Sequence, residues 1–266
     1  MAQLGQRRQS RRLWWLAAVI GAISIVASFG TPKLGCAGSA EDEPDEVIEG
    51  ASGLEGLEHL PRARDGFEPA KLDPIGRAAF CPTEGWVAAV GRHGLRVNAG
   101  GMRGVVAADA SLSAEVAFRY RGASKVAAPL ADGELRRQIG LKLRAMNTCN
   151  VVYVMWHIEP TPGLWVLVKS NPGQSTHQEC GDRGYKEVGV VMSVPDIKVG
   201  EAHTLRADID DTELRIHADG VEVWKGKLPE AATSFDGPVG TRTDNGEFDF
   251  ELRVPGGAKS AAACSE

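Results

Sequence analysis

Three carboxylates stand on alternate positions in "EFDFE" (247–251), with Phe248 and Phe250 between them. In a strand alternate side chains share a face, so Glu247, Asp249 and Glu251 would line one side while the two rings enter a core. Paired carboxylates are the machinery of glycoside hydrolysis, where one protonates the leaving oxygen and the other attacks or activates water. A retaining mechanism needs its two carboxyl groups about 5–5.5 Å apart. Alpha carbons four residues apart on a strand are separated by ~13 Å, so Glu247 and Glu251 would have to lean inward over Asp249. A closing strand with no chemistry accounts for the same pattern.

A second set is cationic and aromatic. The residues opposite the apolar positions of each candidate strand are Arg119, Lys142, Arg144, Tyr153, His157, Trp165, Arg206, Arg215 and Arg242. They would form one surface if their strands belong to one sheet. Aromatic rings suit the apolar faces of sugars, and Arg forks suit carboxylate or phosphate groups. Lys142, Arg144, Tyr153, His157, Trp165 and Arg206 are therefore the candidate binding residues, with a polysaccharide or an acidic envelope glycan as the expected partner. Cations on the solvent faces of strands are the plain alternative.

Other chemistry is weakly signalled. No GxSxG, HExxH or P-loop occurs, and no CxxC pair or Cys–His spacing suggests zinc. Asp208, Asp210 and Asp211 could offer oxygen ligands to Ca²⁺, although Asp is common at turns for its backbone hydrogen bonds. Otherwise no metal or cofactor is expected.

The elements that must position these residues read as short alternating runs. "SAEVAFRY" (113–120) sets Val116, Phe118 and Tyr120 on one face, and "QIGLKLRA" (138–145) does the same with Ile139, Leu141 and Leu143. "VVYVMWHI" (151–158) is apolar on both faces, as a strand covered on both sides would be, and "LWVLVK" (164–169) follows the "EPTPG" turn. "HTLRADI" (203–209) and "ELRIHA" (213–218) flank a pair of aspartates, and "VEVWKG" (221–226) follows the Asp219-Gly220 hairpin signal. "PVGTRT" (238–243) and "EFDFELRV" (247–254) flank Asp244-Asn245-Gly246, read as another hairpin. A short helical turn is expected only in "DGELRRQ", and "NPGQSTHQECGDRGY" (171–185) reads as a long polar loop, most simply a disulfide-stapled connector. Strands at this spacing with hairpin signals predict an all-β, antiparallel sandwich. The 32 glycines and 14 prolines agree with many tight turns.

The chain has 266 residues, 43% hydrophobic and 24% charged, which suits one domain with extensions. Its net charge of −5 gives no case for nucleic acid. Arg7, Arg8, Arg11 and Arg12 precede an apolar run from Leu13 to Phe29 and the break "GTPKLGCAGS", the layout of an export signal. Residues 1–35 are thus read as the export segment. Cys36 resembles the lipidated cysteine of a bacterial lipobox, although Lys33 and Leu34 depart from that box. Cleavage to a soluble protein and an uncleaved anchor are the other outcomes. Residues 36–65, with Glu41, Asp42, Glu43, Asp45, Glu46 and Glu49, are expected to be a disordered acidic linker. The expected place is the bacterial cell envelope, lipid-anchored at the outer membrane or in the periplasm, or secreted.

The pattern "GW…HGLRVNAGG…VVAADASLSAEVAFRYR", with "IGLKLRA…NVVYVMW", "HTLRADIDDTELRIHADGVEVWKG" and "FDGPVGTRTDNGEFDFELRV", resembles a concanavalin A-like lectin/glucanase domain. It is most similar to the laminin-G-like and 3-keto-disaccharide-hydrolase-like branches. The resemblance covers residues 66–255, implies a jelly roll there, and leaves 256–266 as a tail. It also implies that the terminal strands lie side by side, which would pair Cys81 with Cys264 and leave Cys149 and Cys180 for each other. A free Cys264 is the alternative.

Glycoside hydrolase family 16, on a similar sandwich, carries Glu-x-Asp-x-Glu as nucleophile, assisting Asp and acid/base, which here would be Glu247, Asp249 and Glu251. In that family the motif lies mid-chain with further strands behind it. Here it stands near the end of the sequence, and Trp86, Trp156, Trp165 and Trp224 are dispersed. No strand resembling the glutamine- and aspartate-bearing one of the keto-disaccharide branch is present. The expectation is carbohydrate or envelope-polymer binding without catalysis. A β-glucanase-type hydrolase and a structural or protein-interaction module are the two alternatives.

Overall fold

The structure is a computed structural model that describes residues 68–107 and 110–257. Among them are fifteen strands, β1 to β15 in chain order, in two antiparallel sheets. The back sheet runs β13 (Val221–Lys227), β12 (Glu213–Ala218), β11 (Ala202–Asp210), β6 (Ser113–Ala123), β15 (Gly246–Pro255), β4 (Gly94–Asn98) and β3 (Ala88–Val90), with β1 (Leu72–Pro74) also paired to β15. The front sheet runs β10 (Tyr185–Val191), β9 (Gly163–Lys169), β8 (Val151–Glu159), β7 (Arg137–Leu143), β14 (Gly240–Asp244), β5 (Gly101–Val106) and β2 (Phe80–Glu84). This is the antiparallel two-sheet sandwich that the alternation predicts. The first and last strands lie side by side, with Leu72 opposite Pro255.

Period-two alternation puts one apolar face of each sheet into a shared core. Val152, Val154, Trp156 and Ile158 of β8 meet Val116 and Phe118 of β6, Leu205 and Ala207 of β11, and Phe248, Phe250 and Leu252 of β15, all of them buried. Aromatic edges join the two layers. Phe118 meets Trp156 with centroids 5.8 Å apart at 84°, and Phe80 meets Phe250 at 6.0 Å and 71°. Each such edge-to-face pair is worth about 0.5–1.5 kcal/mol beyond its buried area.

Two local expectations are corrected. Asp244-Asn245-Gly246 does not close a hairpin: β14 belongs to the front sheet and β15 to the back, so Asn245 stands at a corner where the chain changes sheets. Its left-handed φ of 54° supplies the sharp bend that a hairpin would also need, and Asn tolerates that region better than most residues. "DGELRRQ" forms a turn and the start of β7 rather than a helical turn, because Arg137 and Gln138 pair with Glu159 and His157 of β8. The expected strand at 247–254 is present, but it is last only in sequence; in its sheet it is flanked by β6 and β4.

Cys149 and Cys180 are joined across 31 residues of sequence, tying the β7–β8 loop to the helical turn α1 (His177–Cys180). Cys81, on β2, is also disulfide-bonded. Its expected partner Cys264, the lipidation candidate Cys36, the export segment, the acidic linker and most of the tail lie outside the described residues. Replacing both Cys149 and Cys180 by Ala is expected to lower the unfolding free energy by about 3–4 kcal/mol, the loop-entropy value for this separation. Denaturant titration under oxidising conditions checks this, and a loss below about 1 kcal/mol would contradict it.

Candidate functional site

On the outer face of the front sheet, opposite the core, the strand register lays side chains in rows. Lys142 of β7 stands between Gly240 of β14 and Tyr153 of β8, and Leu167 of β9 follows in the same row. The next row runs Arg103 of β5, Arg242, Gly140, Met155 and Trp165; the third holds Asp244, Gln138 and His157. A Cβ at Gly140 would fall 2.7 Å from Met155 Sδ, so glycine there lets the methionine cover the strand. Tyr153, Met155 and Val151 form a small apolar cluster of their own, with Leu167 against it. The second apolar face of "VVYVMWHI" is thus the floor of a groove.

Two loops raise walls on this floor and enclose about 530 Å³. The 128–136 segment is pinned by Asn245, whose side chain accepts from Ala128 N–H at 2.7 Å and donates to the carbonyls of Ala128 (2.9 Å) and Arg136 (3.1 Å). The opposite wall is the loop around α1, held by the Cys149–Cys180 bond and by Asn171, which donates to the carbonyls of Cys149 and Arg183. Glu179 caps α1 by accepting from the backbone N–H groups of Ser175 and Thr176, each at 2.9 Å, and those bonds hold its carboxyl down at about 2.

Charge lines the floor. Arg242 donates from Nε to Asp244 Oδ2 at 2.8 Å, and Gln138 donates to the same oxygen at 2.6 Å. Arg103 pairs with Glu84 at 2.5 Å and comes within 3.7 Å of Asp244. Arg242 also lies over the Tyr153 ring at 5.3 Å, Tyr153 stacks with Tyr185 at 6.1 Å, and the Lys169 ammonium sits 5.2 Å from the Tyr185 centroid. Burial, with Tyr185 adding to it, pushes the Tyr153 hydroxyl up to about 12, so it remains a neutral donor. Lys142 is 4% exposed and has no hydrogen-bond or ion-pair partner among the described residues. Burial first, and then Arg103 and Arg242, push its amine down to about 8 against an opposing pull from Glu84.

Of the candidates named from sequence, Lys142, Tyr153 and Arg242 meet in this groove. His157 and Trp165 stand on the same face beyond its lining, stacked at 3.8 Å and 12°. Arg144 does not join them. It follows β7 in a left-handed conformation and donates to the carbonyls of Thr233 and Asp211. Arg206 belongs to the back sheet, where both oxygens of Asp208 accept from it at 2.8 Å. Arg119 and Arg215 are on that sheet too, so the proposed single surface is divided between opposite sides of the sandwich. With Asp208 engaged by Arg206, the three aspartates do not converge. No cluster of three or more His, Cys, Asp or Glu residues among the described residues is placed to hold a metal ion.

The EFDFE carboxylates also face away from the groove, on the outer face of the back sheet. Asp249 accepts two bonds from Arg96, at 2.5 and 2.9 Å; Glu247 accepts from Asn98 at 3.1 Å; Glu251 accepts from Arg253 at 2.7 Å. All three carboxylates are therefore engaged within their own sheet. The groove residues missed from sequence are Arg103, Gln138, Lys169, Tyr185 and Asp244. Lys169 closes the alternating run "LWVLVK", within reach of that pattern; Tyr185 opens the bulged, mostly exposed β10, and Arg103 lies in β5, where Gly104 takes a buried position that an apolar residue would mark.

His157 gives the face a pH dependence. Burial, and then Arg136 and Arg242, push its imidazole down to about 3, and Nε2 has no partner. The unfolded chain takes up a proton near 6.5 that the folded protein refuses until about 3. Folding stability is therefore unaffected by this group above about 6.5 and falls as pH drops from there toward 3. Thermal melts should show a shallower acid loss between pH 7 and 4 in His157→Gln than in the parent. Equal slopes would contradict the assignment.

No family model matches the chain, and no curated protein matches it. Among solved structures, carbohydrate-binding module CBM66 from Bacillus subtilis is 12% identical, over 65% of this chain and 91% of that one, with a TM-score of 0.46. The metal-free carbohydrate recognition domain of Emp46p is 10% identical over 68% and 90%, with a TM-score of 0.45. A structure described with endo-acting O-glycanases of the human gut microbiota is 13% identical over 70% and 98%, with a TM-score of 0.44.

Proposed function

We propose that this chain is an exported glycan-binding protein that holds a saccharide in the front-sheet groove without cleaving it. The observation that carries the reading is the stacked Tyr153–Tyr185 pair beside an apolar floor of Met155 and Leu167, set among cations in a walled groove. Tyr185 is exposed and offers its ring at the rim. Sugars present apolar C–H faces ringed by hydroxyls, and such a surface of rings with placed polar groups complements them. The volume lies within the range of small-ligand sites. Binding without cleavage is supported by the position of Glu247 and Glu251, which are on the other side of the sandwich, and by the engagement of groove acids Asp244 and Glu84 with arginines.

Affinity electrophoresis through gels containing neutral and acidic polysaccharides tests this reading. Tyr185→Ala should weaken retardation by about tenfold, the scale of an aromatic anchor, while Glu247→Gln and Glu251→Gln should leave it unchanged and the polysaccharide intact. Retardation indifferent to Tyr185→Ala, or sugar release that either glutamine variant abolishes, would overturn it.

Residues 1–35 and Cys36 support a place at the cell envelope through a lipid on that cysteine. Metabolic labelling with a fatty acid should mark the parent chain and spare Cys36→Ala. Label that persists in the variant would remove the anchor.

A further inference from the structure

The cations of the groove are not equivalent. Arg103 has Glu84, Arg242 has Asp244, Arg136 has Asp132 and Glu134, and the Lys169 ammonium donates to the Gly181 carbonyl at 2.6 Å. Lys142 alone among these five has neither a counter-ion nor a carbonyl, although it is as buried as Arg242. The Lys142 side chain is buried while its ammonium, facing the groove, finds no protein partner to replace the hydration it loses there. Of its ladder neighbours, Gly240 carries no side chain and Tyr153 carries only a hydroxyl.

The charges around it explain why. Arg103 of β5 and Arg242 of β14 face the amine and repel it, while Glu84 of β2 attracts it but is already bridged to Arg103. Asp244 is occupied by Arg242 and Gln138. On the walls, Asp132 is held by Arg136, and Asp182 stands on the far side near Lys169. Three cationic groups thus converge on a floor position that lacks one negative charge.

We propose that Lys142, flanked by Arg103 and Arg242, is an anion subsite that receives the carboxylate or sulfate of an acidic sugar. This rests on the glycan reading of the groove and narrows it to glycans that carry such a group. The anion supplies the missing counter-charge, with the ammonium donating to its oxygens while the neighbouring tyrosines meet the adjoining rings. The proton balance gives the subsite a direction. In the empty groove the amine is held down at about 8 by burial and the two guanidiniums, and an anion that binds the charged form raises it. Affinity is therefore greatest below about 8 and falls as pH rises through the bound-state value.

The test uses protein labelled with ¹³C at the lysine ε-carbons, with Lys142→Met and Lys169→Met spectra to assign the two groove lysines. Their titration is followed in buffer alone, with sodium glucuronate, with inorganic sulfate, and with methyl glucoside as the uncharged control. The Lys142 midpoint should rise by about one unit with an anion, equivalent to about tenfold tighter binding to the charged amine, and should not move with methyl glucoside. A response to glucuronate alone identifies a carboxylate-bearing sugar, and one to sulfate alone a sulfated sugar. A Lys142 midpoint unmoved by both anions overturns the subsite, and retention on neutral polysaccharide would then leave the glycan groove standing. A midpoint that moves in a protein retarded by no polysaccharide keeps the anion site and removes the glycan reading.

Discussion

Asp244 and Asn245 stand where the chain leaves the front sheet for the back, and both are almost wholly buried at 1% and 2% exposure. Asp244 neutralises Arg242, accepts from Gln138 and lies near Arg103, so a single carboxylate organises the polar floor of the groove. Asn245, the next residue, holds one wall through three hydrogen bonds to the 128–136 segment. The corner therefore does three things at once: it turns the chain between layers, balances charge on one, and fastens a loop above it. Buried ion pairs add little over an apolar replacement, yet removing one partner costs about 3–5 kcal/mol because the other charge is stranded. Arg242 would be so stranded without Asp244.

The two faces of the front sheet use the same backbone for opposite purposes. Inward, β8 presents Val152, Val154 and Trp156, which Phe118 and its neighbours cover from the back sheet. Outward, it presents Tyr153 and Met155, covered only as far as the two walls reach. The back sheet is different. Its outer face carries acids and arginines that satisfy one another within and across neighbouring strands, as Asp249 does with Arg96 and Glu251 with Arg253. Pairing of that kind leaves a solvated surface with little unspent charge, whereas the front face retains Lys142.

Most long strands were legible because alternation is a direct imprint of a half-buried sheet: β6, β7, β8, β9, β11, β12, β13 and β15 were all anticipated within a few residues. β1 to β4 span only three to five residues, β5 sets Gly104 at one of its buried positions, and β10 is bulged and mostly exposed. Alternation also reports a face without reporting a sheet. Alternation alone therefore groups Arg206 and Arg215 with Lys142 and Tyr153, although they lie on opposite faces of the sandwich. Asp244-Asn245-Gly246 shows the same limit. The residues encode a left-handed bend, and whether a bend closes a hairpin or turns a corner depends on which strands lie beyond it. In EFDFE the rings enter the core as expected; Arg96 and Asn98, the partners of Asp249 and Glu247, come from about 150 positions earlier, a relation no local pattern contains.

The wall built around α1 has a different dependence from the rest of the fold. The sandwich is held chiefly by apolar burial and strand pairing, with Cys81 of β2 also in a disulfide. The wall is tied to the β7–β8 loop by a covalent bond between Cys149 and Cys180, and Lys169 reaches the carbonyl of Gly181, the residue immediately after that bond. In thiol-rich surroundings that covalent tie is lost, and the α1 wall keeps only its hydrogen bonds, among them those from Asn171 to the carbonyls of Cys149 and Arg183. The α1 wall of the groove therefore owes its covalent fastening to oxidation.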